Sequence, residues 1–244
     1  MITEIGEPKR RASKHVSDED LEMTIQVCLV ATNGIVLASD LKHVFYNETW
    51  SGGLATKIVI DDLRGVAVAW SGYEISRVVA KEIISHVEIL ESKRPREALE
   101  ALTNEIYDKP FPDLIEPESR RSEVIVVSKS SLDKFYSMTM SPSRNQCYSL
   151  VDKAVAGQRT SPAWYFIERY YNGKQTISDL LLVGAHAVLQ ASKLDPKGIQ
   201  GLEIVTCTKE GIVPVPHKEI DELSARSDQL DAAIAESLFP PLPL

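Results

Sequence analysis

Residues 24–40, TIQVCLVATNGIVLASD, form two β-rich runs on either side of Thr32-Asn33-Gly34. An Asn-Gly step between apolar runs is the strongest short-range hairpin signal, because Asn and Gly accept the positive φ that a tight turn matched to twisted strands requires. Further strands are expected at Thr56–Ile60 and, past the turn Asp61-Asp62, at Gly65–Trp70. Next, Ile75, Val78, Val79, Ile83, Val87 and Leu90 recur at three- and four-residue steps, the stripe of a helix burying one face over 74–90. A shorter helix is expected from Arg96 to Tyr107, with Pro95 in its first turn and the Pro-rich stretch Lys109–Pro117 stopping it. Strand-like runs follow at Glu123–Ser128, Lys134–Met140, Gln146–Leu150 and Lys153–Gly157, split by Ser/Asp and Ser-Pro-Ser turns.

The second half repeats this order. Helices are expected at Ser161–Tyr171 and Thr176–Ser192, the first opened by Thr160-Ser161-Pro162 and closed by Asn172-Gly173. A hairpin, Leu202–Thr208 with Ile212–Val215, precedes an amphipathic helix Lys218–Leu238 and the tail Phe239–Leu244. Strands, two helices, strands, two helices, strands is an α+β arrangement of layered sheets with helices outside. Three units are expected: a leader over 1–23 without apolar periodicity, a domain over 24–216, and a C-terminal helix and tail over 217–244.

Composition narrows the functional classes. The 244 residues are 43% hydrophobic and 25% charged, which is globular composition with ample core material. A net charge of −8 argues against nucleic acid as the main partner, since phosphate binding needs a basic face. No apolar run reaches the roughly 18–20 residues of a membrane span. The polar N-terminus lacks a secretory apolar segment, so a cytoplasmic location is expected and the sequon at Asn47 is without meaning. Cys28, Cys147 and Cys207 match neither a disulfide framework nor a zinc site, and the five histidines form no metal-binding spacing. No metal or organic cofactor is expected. Dinucleotide, P-loop and GxSxG motifs are absent from the sequence.

Thr24, directly before the first strand, carries the chemical interest. A threonine at a chain terminus has a base of its own, the α-amine, whose pKa of about 7.7–8.0 lets it take the hydroxyl proton near neutrality. Alone, Thr24 is a β-branched strand starter, Asp40 a turn aspartate and Lys57 a strand-edge lysine; their value is joint.

TIQVCLVATNGIVLASD, ATKIVID and GVAVAWSG leading into a helix resemble the opening of a proteasome β-type subunit. VAGQRTSPAWYFIERYY and KLDPKGIQGLEIVTCTKEGI resemble that family's second half, so the likeness spans roughly 24–215. It implies a four-layer αββα sandwich of two antiparallel sheets flanked by helices, the N-terminal-nucleophile hydrolase fold, assembled as a homo-oligomer of stacked rings. It implies Thr24 as nucleophile, Asp40 as the catalytic aspartate, Lys57 as the catalytic lysine and Asp195 as a supporting aspartate. An unperturbed lysine is charged at pH 7, so Lys57 would lower the Thr24 hydroxyl pKa rather than act as a base.

The departures lie where that family does its chemistry. Gln158 and Gly198 stand where serines support the nucleophile. At AWSG, either Trp70 occupies the place of a glycine that supplies an oxyanion-binding N–H, or Gly72 shifts into it; losing such a donor costs on the order of a hundredfold in rate. Met23 replaces the glycine that precedes self-cleaved nucleophiles; translation from Met23 followed by methionine removal would expose Thr24 equally. The expected function is a threonine-type peptidase subunit of a self-compartmentalising ring taking part in intracellular protein degradation. Its partners would be itself, polypeptide substrates and an ATP-dependent unfoldase, with neither nucleic acid nor membrane. A non-catalytic ring subunit and a small-molecule amidase of the same fold are the alternatives. Trp164, Tyr165, Phe166, Tyr170 and Tyr171 are expected as core and subunit contact, and Ile220, Leu223, Leu230 and Ile234 as the apolar stripe of the last helix.

Overall fold

The computed structural model describes residues 24–45, 51–72, 74–107, 122–141, 145–157 and 162–238. The expected leader, Met23, the Asn47 sequon, the Pro-rich stretch, Gln158 and the tail from Phe239 lie outside them.

The Asn-Gly hairpin forms as expected: β1 (Ile25–Ala31) and β2 (Gly34–Ser39) pair antiparallel from Ala31↔Gly34 to Gln26↔Ser39. Gly34 is obligatory at the turn, because its φ of +152° and a Cβ only 2.3 Å from the Cys207 carbonyl oxygen leave no room for a side chain. β10 (Lys153–Gly157) flanks β1; β11 (Glu203–Thr208) and β12 (Gly211–Pro214) continue beyond β2, giving the order β10-β1-β2-β11-β12. The second sheet runs in chain order through β5 (Ile58–Asp61), β6 (Val66–Ser71), β7 (Ser122–Ser128), β8 (Ser131–Met140) and β9 (Gln146–Leu150). All pairings in both sheets are antiparallel.

Alternation along the strands divides the buried residues into three layers. Ile25, Val27 and Leu29 of β1 face α3 (Pro162–Tyr170), α4 (Ile177–Leu194) and α5 (His217–Leu238), meeting Ile167, Leu180, Val188 and Leu223. Cys28, Ile35 and Leu37 face the other way and pack on Ala67, Ala69, Ile125 and Phe135 of the second sheet. On the far face of that sheet, Val68, Trp70, Val124 and Met138 bury α1 (Glu74–Ser85) and α2 (Pro95–Tyr107) through Ile75, Val79, Leu99 and Ile106. Helix, sheet, sheet, helix is the four-layer αββα sandwich. Strands that are apolar on both faces follow from it, since neither face of either sheet meets water.

Four local features differ from the expectation. The strand placed at Thr56 starts at Ile58 because the Thr56 hydroxyl binds the Ile58 carbonyl (3.1 Å) and takes a bond from its N–H (3.3 Å), turning the chain locally. The first helix ends at Ser85, not Leu90: the His86 N–H is shared between the Glu82 and Ile83 carbonyls (3.0 and 3.2 Å), and Val87–Glu91 continues as a 3-10 turn. An unforeseen ribbon, β3 (Lys42–Phe45) with β4 (Ser51–Leu54), forms from a Gly-rich stretch whose apolar residues do not alternate. Finally, the α3 aromatics divide. Phe166 packs edge-on against His186 with ring centroids 4.6 Å apart, and Tyr171, just past the helix, donates its hydroxyl to the Val30 carbonyl (2.9 Å). Trp164, Tyr165 and Tyr170 face outward.

α4 is opened by a capping box in which Thr176 and Asp179 each satisfy the other's backbone N–H, the pattern that stabilises a helix start. α5 is tied to it by a polar strip. His186 Nδ1 lies 2.9 Å from Ser227 Oγ, Gln190 donates to Asp231 (2.6 Å), and Lys193 reaches Asp228 and Asp231 (2.9 and 2.5 Å). Ile220 and Leu223 are buried beneath this strip, whereas Leu230 and Ile234 are exposed. Among the described residues, no helix is long and apolar enough to cross a membrane.

Candidate active site

The site follows from hairpin register. Extending the β1–β2 pairing one step beyond Gln26↔Ser39 sets Asp40 opposite Ile25, and the Asp40 N–H donates to the Ile25 carbonyl at 3.2 Å. The Asp40 carboxylate turns back over the hairpin end, where Oδ1 accepts the Ile25 N–H (3.0 Å) and Oδ2 accepts the Lys42 N–H (2.9 Å). Thr24 is next along β1, so the hairpin alone brings the threonine and the aspartate together.

Lys57 arrives from the other sheet. Its carbonyl accepts the Trp70 N–H (3.0 Å) where β5 begins beside β6, and its side chain crosses between the sheets with 1% of its surface exposed. Nζ donates to Thr24 Oγ1 at 2.7 Å and contacts Asp40 Oδ1 and Oδ2 at 3.0 and 2.9 Å. Burial is the main influence on both partners. It raises the Asp40 carboxyl, opposed by Lys57 and by the Ile25 and Lys42 N–H groups, and lowers the Lys57 amine, opposed by Asp40 and Glu203. An ammonium donating to Thr24 Oγ1 favours the alkoxide form of that oxygen; with its pKa lowered, the same lysine also exchanges protons more readily near neutrality.

Gly157 seats Thr24 from the opposite side. It pairs with Ile25 across β10 and β1 and has φ +88°, and a Cβ there would fall 2.0 Å from the Thr24 carbonyl oxygen. Only glycine permits this approach. Its N–H donates to Glu123 Oε2 (2.6 Å), a carboxylate reaching over from β7. Glu203, the first residue of β11, likewise reaches the second sheet: Oε1 accepts the Lys57 N–H and Oε2 the Thr56 hydroxyl, both at 2.5 Å. Burial pushes its carboxyl up to about 7 against the lowering effect of these donors, with Asp40 adding a smaller push upward. Glu123 and Glu203 escaped the sequence reading; each is the one acidic residue within a strand otherwise apolar or hydroxylic, SEVIVVS and EIVTCT.

The remaining candidates fall at the margin. Asp195 ends α4, and its carboxylate accepts the Gly198 N–H of its own turn (3.0 Å). Among the described residues no bond joins it to Thr24. That turn reaches the site through Gln200, whose carbonyl accepts the Leu41 N–H (2.8 Å) next to Asp40. Trp70 has its N–H engaged with Lys57 and its ring in the outer core, so it is not the oxyanion donor of the expected alternatives. Gly72, two residues on with φ +88°, keeps the place open to it at the same end of the sheet. Among the described residues, no group of three His, Cys, Asp or Glu side chains is arranged to hold a metal ion.

Solved structures share this architecture. Anbu (ancestral beta-subunit) from Yersinia bercovieri superposes with a TM-score of 0.66 at 10% identity, covering 90% of this chain and 98% of that one. The Anbu (Gly-1) mutant from Hyphomicrobium sp. strain MC1 gives 0.64 at 11% identity, covering 87% and 97%. At these identities the likeness is one of fold, a proteasome-like N-terminal-nucleophile hydrolase sandwich. No family model matches the chain, and no curated protein matches it.

Proposed function

We propose that this chain is a threonine-type N-terminal-nucleophile hydrolase subunit, acting on peptide bonds once Thr24 carries a free amine. The observation that carries this reading is the 2.7 Å contact from a buried lysine to Thr24 Oγ1, with Asp40 holding that lysine from behind. A threonine that merely starts a strand needs no buried ammonium, which is expensive to desolvate and is retained where its charge is used.

In this mechanism Thr24 Oγ1 attacks the scissile carbonyl carbon and forms an ester with the acyl half of the substrate. Its proton passes to the Thr24 amine and then to the leaving amine. Lys57 stabilises the developing alkoxide, and Asp40 fixes the lysine through both carboxylate oxygens while its two backbone bonds fix the aspartate. Gly72 N–H is the proposed oxyanion donor. Water, activated by the same amine, then hydrolyses the ester. Asp195 and Gly198 act on the far side of this machinery, holding the turn that carries Gln200 against Leu41. Assembly into rings with copies of itself is part of this proposal, as is delivery of polypeptides by an unfoldase.

The test is the intact mass and N-terminal sequence of the protein from its native cell, followed by labelling with a peptide epoxyketone, which requires both the hydroxyl and the amine of an N-terminal threonine. A chain that begins at Thr24 and takes up one label per site is expected. A chain that keeps its leader and stays unlabelled would overturn the peptidase reading in favour of a non-catalytic subunit of this fold.

A further inference from the structure

Lys57 is held at its tip by Asp40, but a tip is no better placed than the backbone that carries it. Here the backbone needs a separate hold. β5 is the edge strand of its sheet, and Lys57 lies just before its first residue, where the ladder to β6 begins. The Lys57 carbonyl joins that ladder through Trp70, while its N–H leaves it for a side chain on the other sheet.

We propose that Glu203 is a positioning residue of the site: it grips the backbone of Lys57 across the gap between the sheets, and its ionisation makes that grip pH-dependent. Both carboxylate oxygens are committed to the two-residue lead into β5, Oε1 to the Lys57 N–H and Oε2 to the Thr56 hydroxyl, each at 2.5 Å. The opposite end of Glu203 is equally fixed, since it pairs with Ser39, the residue before Asp40. One side chain therefore ties the strand position that delivers the ammonium to the hairpin end that delivers the aspartate and threonine. Two charged groups face it, Lys57 from the start of β5 and Asp40 from the end of β2. Lys42, on the same side, is directed to Gln200 Oε1 (3.3 Å).

Ionised, Glu203 accepts both bonds as charge-assisted ones, which are about twice as strong as neutral ones. Protonated, it must turn one oxygen into a donor, and the grip on the lysine backbone loosens. Burial brings this change to about pH 7. A negative Glu203 also favours the charged form of Lys57. The catalytic consequence, a pH-dependent placement of Nζ against Thr24 Oγ1, rests on the nucleophile reading above.

The test uses the full chain labelled with 13C-carbonyl threonine and 15N-lysine. The sequence contains two Thr-Lys steps, Thr56-Lys57 and Thr208-Lys209, so the Lys57 amide appears as one of two directly assignable signals. In the wild type its proton is expected to move downfield as pH rises, with a midpoint near 7. In Glu203→Gln the shift is expected to be flat over the same range, although Asp40 and Lys57 remain. Thr56→Val leaves Glu203 in place but removes one donor, and should move the midpoint upward. An amide that fails to titrate in the wild type, that still titrates in Glu203→Gln, or whose midpoint ignores Thr56→Val overturns the proposal. Epoxyketone labelling of Thr24 across the same pH range adds the catalytic readout: the inflection near 7 should vanish in Glu203→Gln. A wild type that is unlabelled at every pH while its Lys57 amide titrates as described would sink the peptidase reading and leave the grip standing.

Discussion

Lys57→Met is the sharpest probe of the site, since methionine keeps the length and the apolar stem and deletes only the ammonium. Removing one partner of a buried ion pair costs about 3–5 kcal/mol, because the other charge is left uncompensated. Asp40 retains the Ile25 and Lys42 N–H donors at 3.0 and 2.9 Å, which offset part of that loss. The lower figure, about 3 kcal/mol at pH 7, is therefore expected. The deficit should also depend on pH. Burial already raises the Asp40 carboxyl and Lys57 lowers it, so the variant's Asp40 must rise further. The folded variant then keeps a proton that the unfolded chain, with an aspartate near 3.9, has released. Stability relative to wild type accordingly falls as pH climbs through that window and recovers toward acid. Urea unfolding at pH 5, 7 and 8 of Lys57→Met, Asp40→Asn and the double variant supplies the cycle, and the double variant should be less unstable than the two single losses added together. On a Thr24 N-terminus, acylation should drop at least about a hundredfold. A Lys57→Met protein within 1 kcal/mol of wild type at pH 7, acylated at an unchanged rate, would refute the reasoning.

Gly157→Ala should be damaging at the same site for a different reason: its Cβ would meet the Thr24 carbonyl oxygen at 2.0 Å, at φ +88°. A loss of about 3 kcal/mol, lowering Tm by roughly 6–12 °C, is expected and checked by calorimetry; an unchanged Tm would contradict the close approach. At the α4–α5 contact, burial holds His186 below its usual value, opposed by Asp231 and assisted by Lys193. The unfolded chain therefore takes a proton first as pH falls below about 6.5, and folded stability is lost there. In His186→Asn the drop in urea midpoint between pH 7.5 and 5 should be smaller than in the wild type.

The layers were readable because they rest on local patterns. Residues 24–40 carry their turn type in Asn33-Gly34, and the stripe Ile75, Val79, Ile83 states which helix face is buried. The pairing of Thr24 with Asp40 is also local, being the register of one hairpin. Lys57 was found by likeness rather than by spacing, since nothing in ATKIVID says that a lysine crosses to another sheet. Glu123 and Glu203 went unread for the same cause: each acts on a residue of the opposite sheet, at separations of 34 and 146 positions. The choice between Trp70 and Gly72 needed the β5–β6 hydrogen bonds, in which the Trp70 N–H is already used. The β3–β4 ribbon, Lys42–Phe45 with Ser51–Leu54, offers neither alternation nor a recognised turn.

Thr24 and Asp40 belong to one sheet and Lys57 to the other, so the two halves of the site are strangers until the sandwich closes. A nascent or half-folded chain has the hairpin without the ammonium, and its threonine is an ordinary alcohol. The inter-sheet packing of Cys28, Ile35, Leu37, Ala69 and Phe135 thus works as an interlock. Reactivity is the last property the fold acquires and, on heating, the first it surrenders, because separating the sheets disarms the nucleophile before either sheet has come apart.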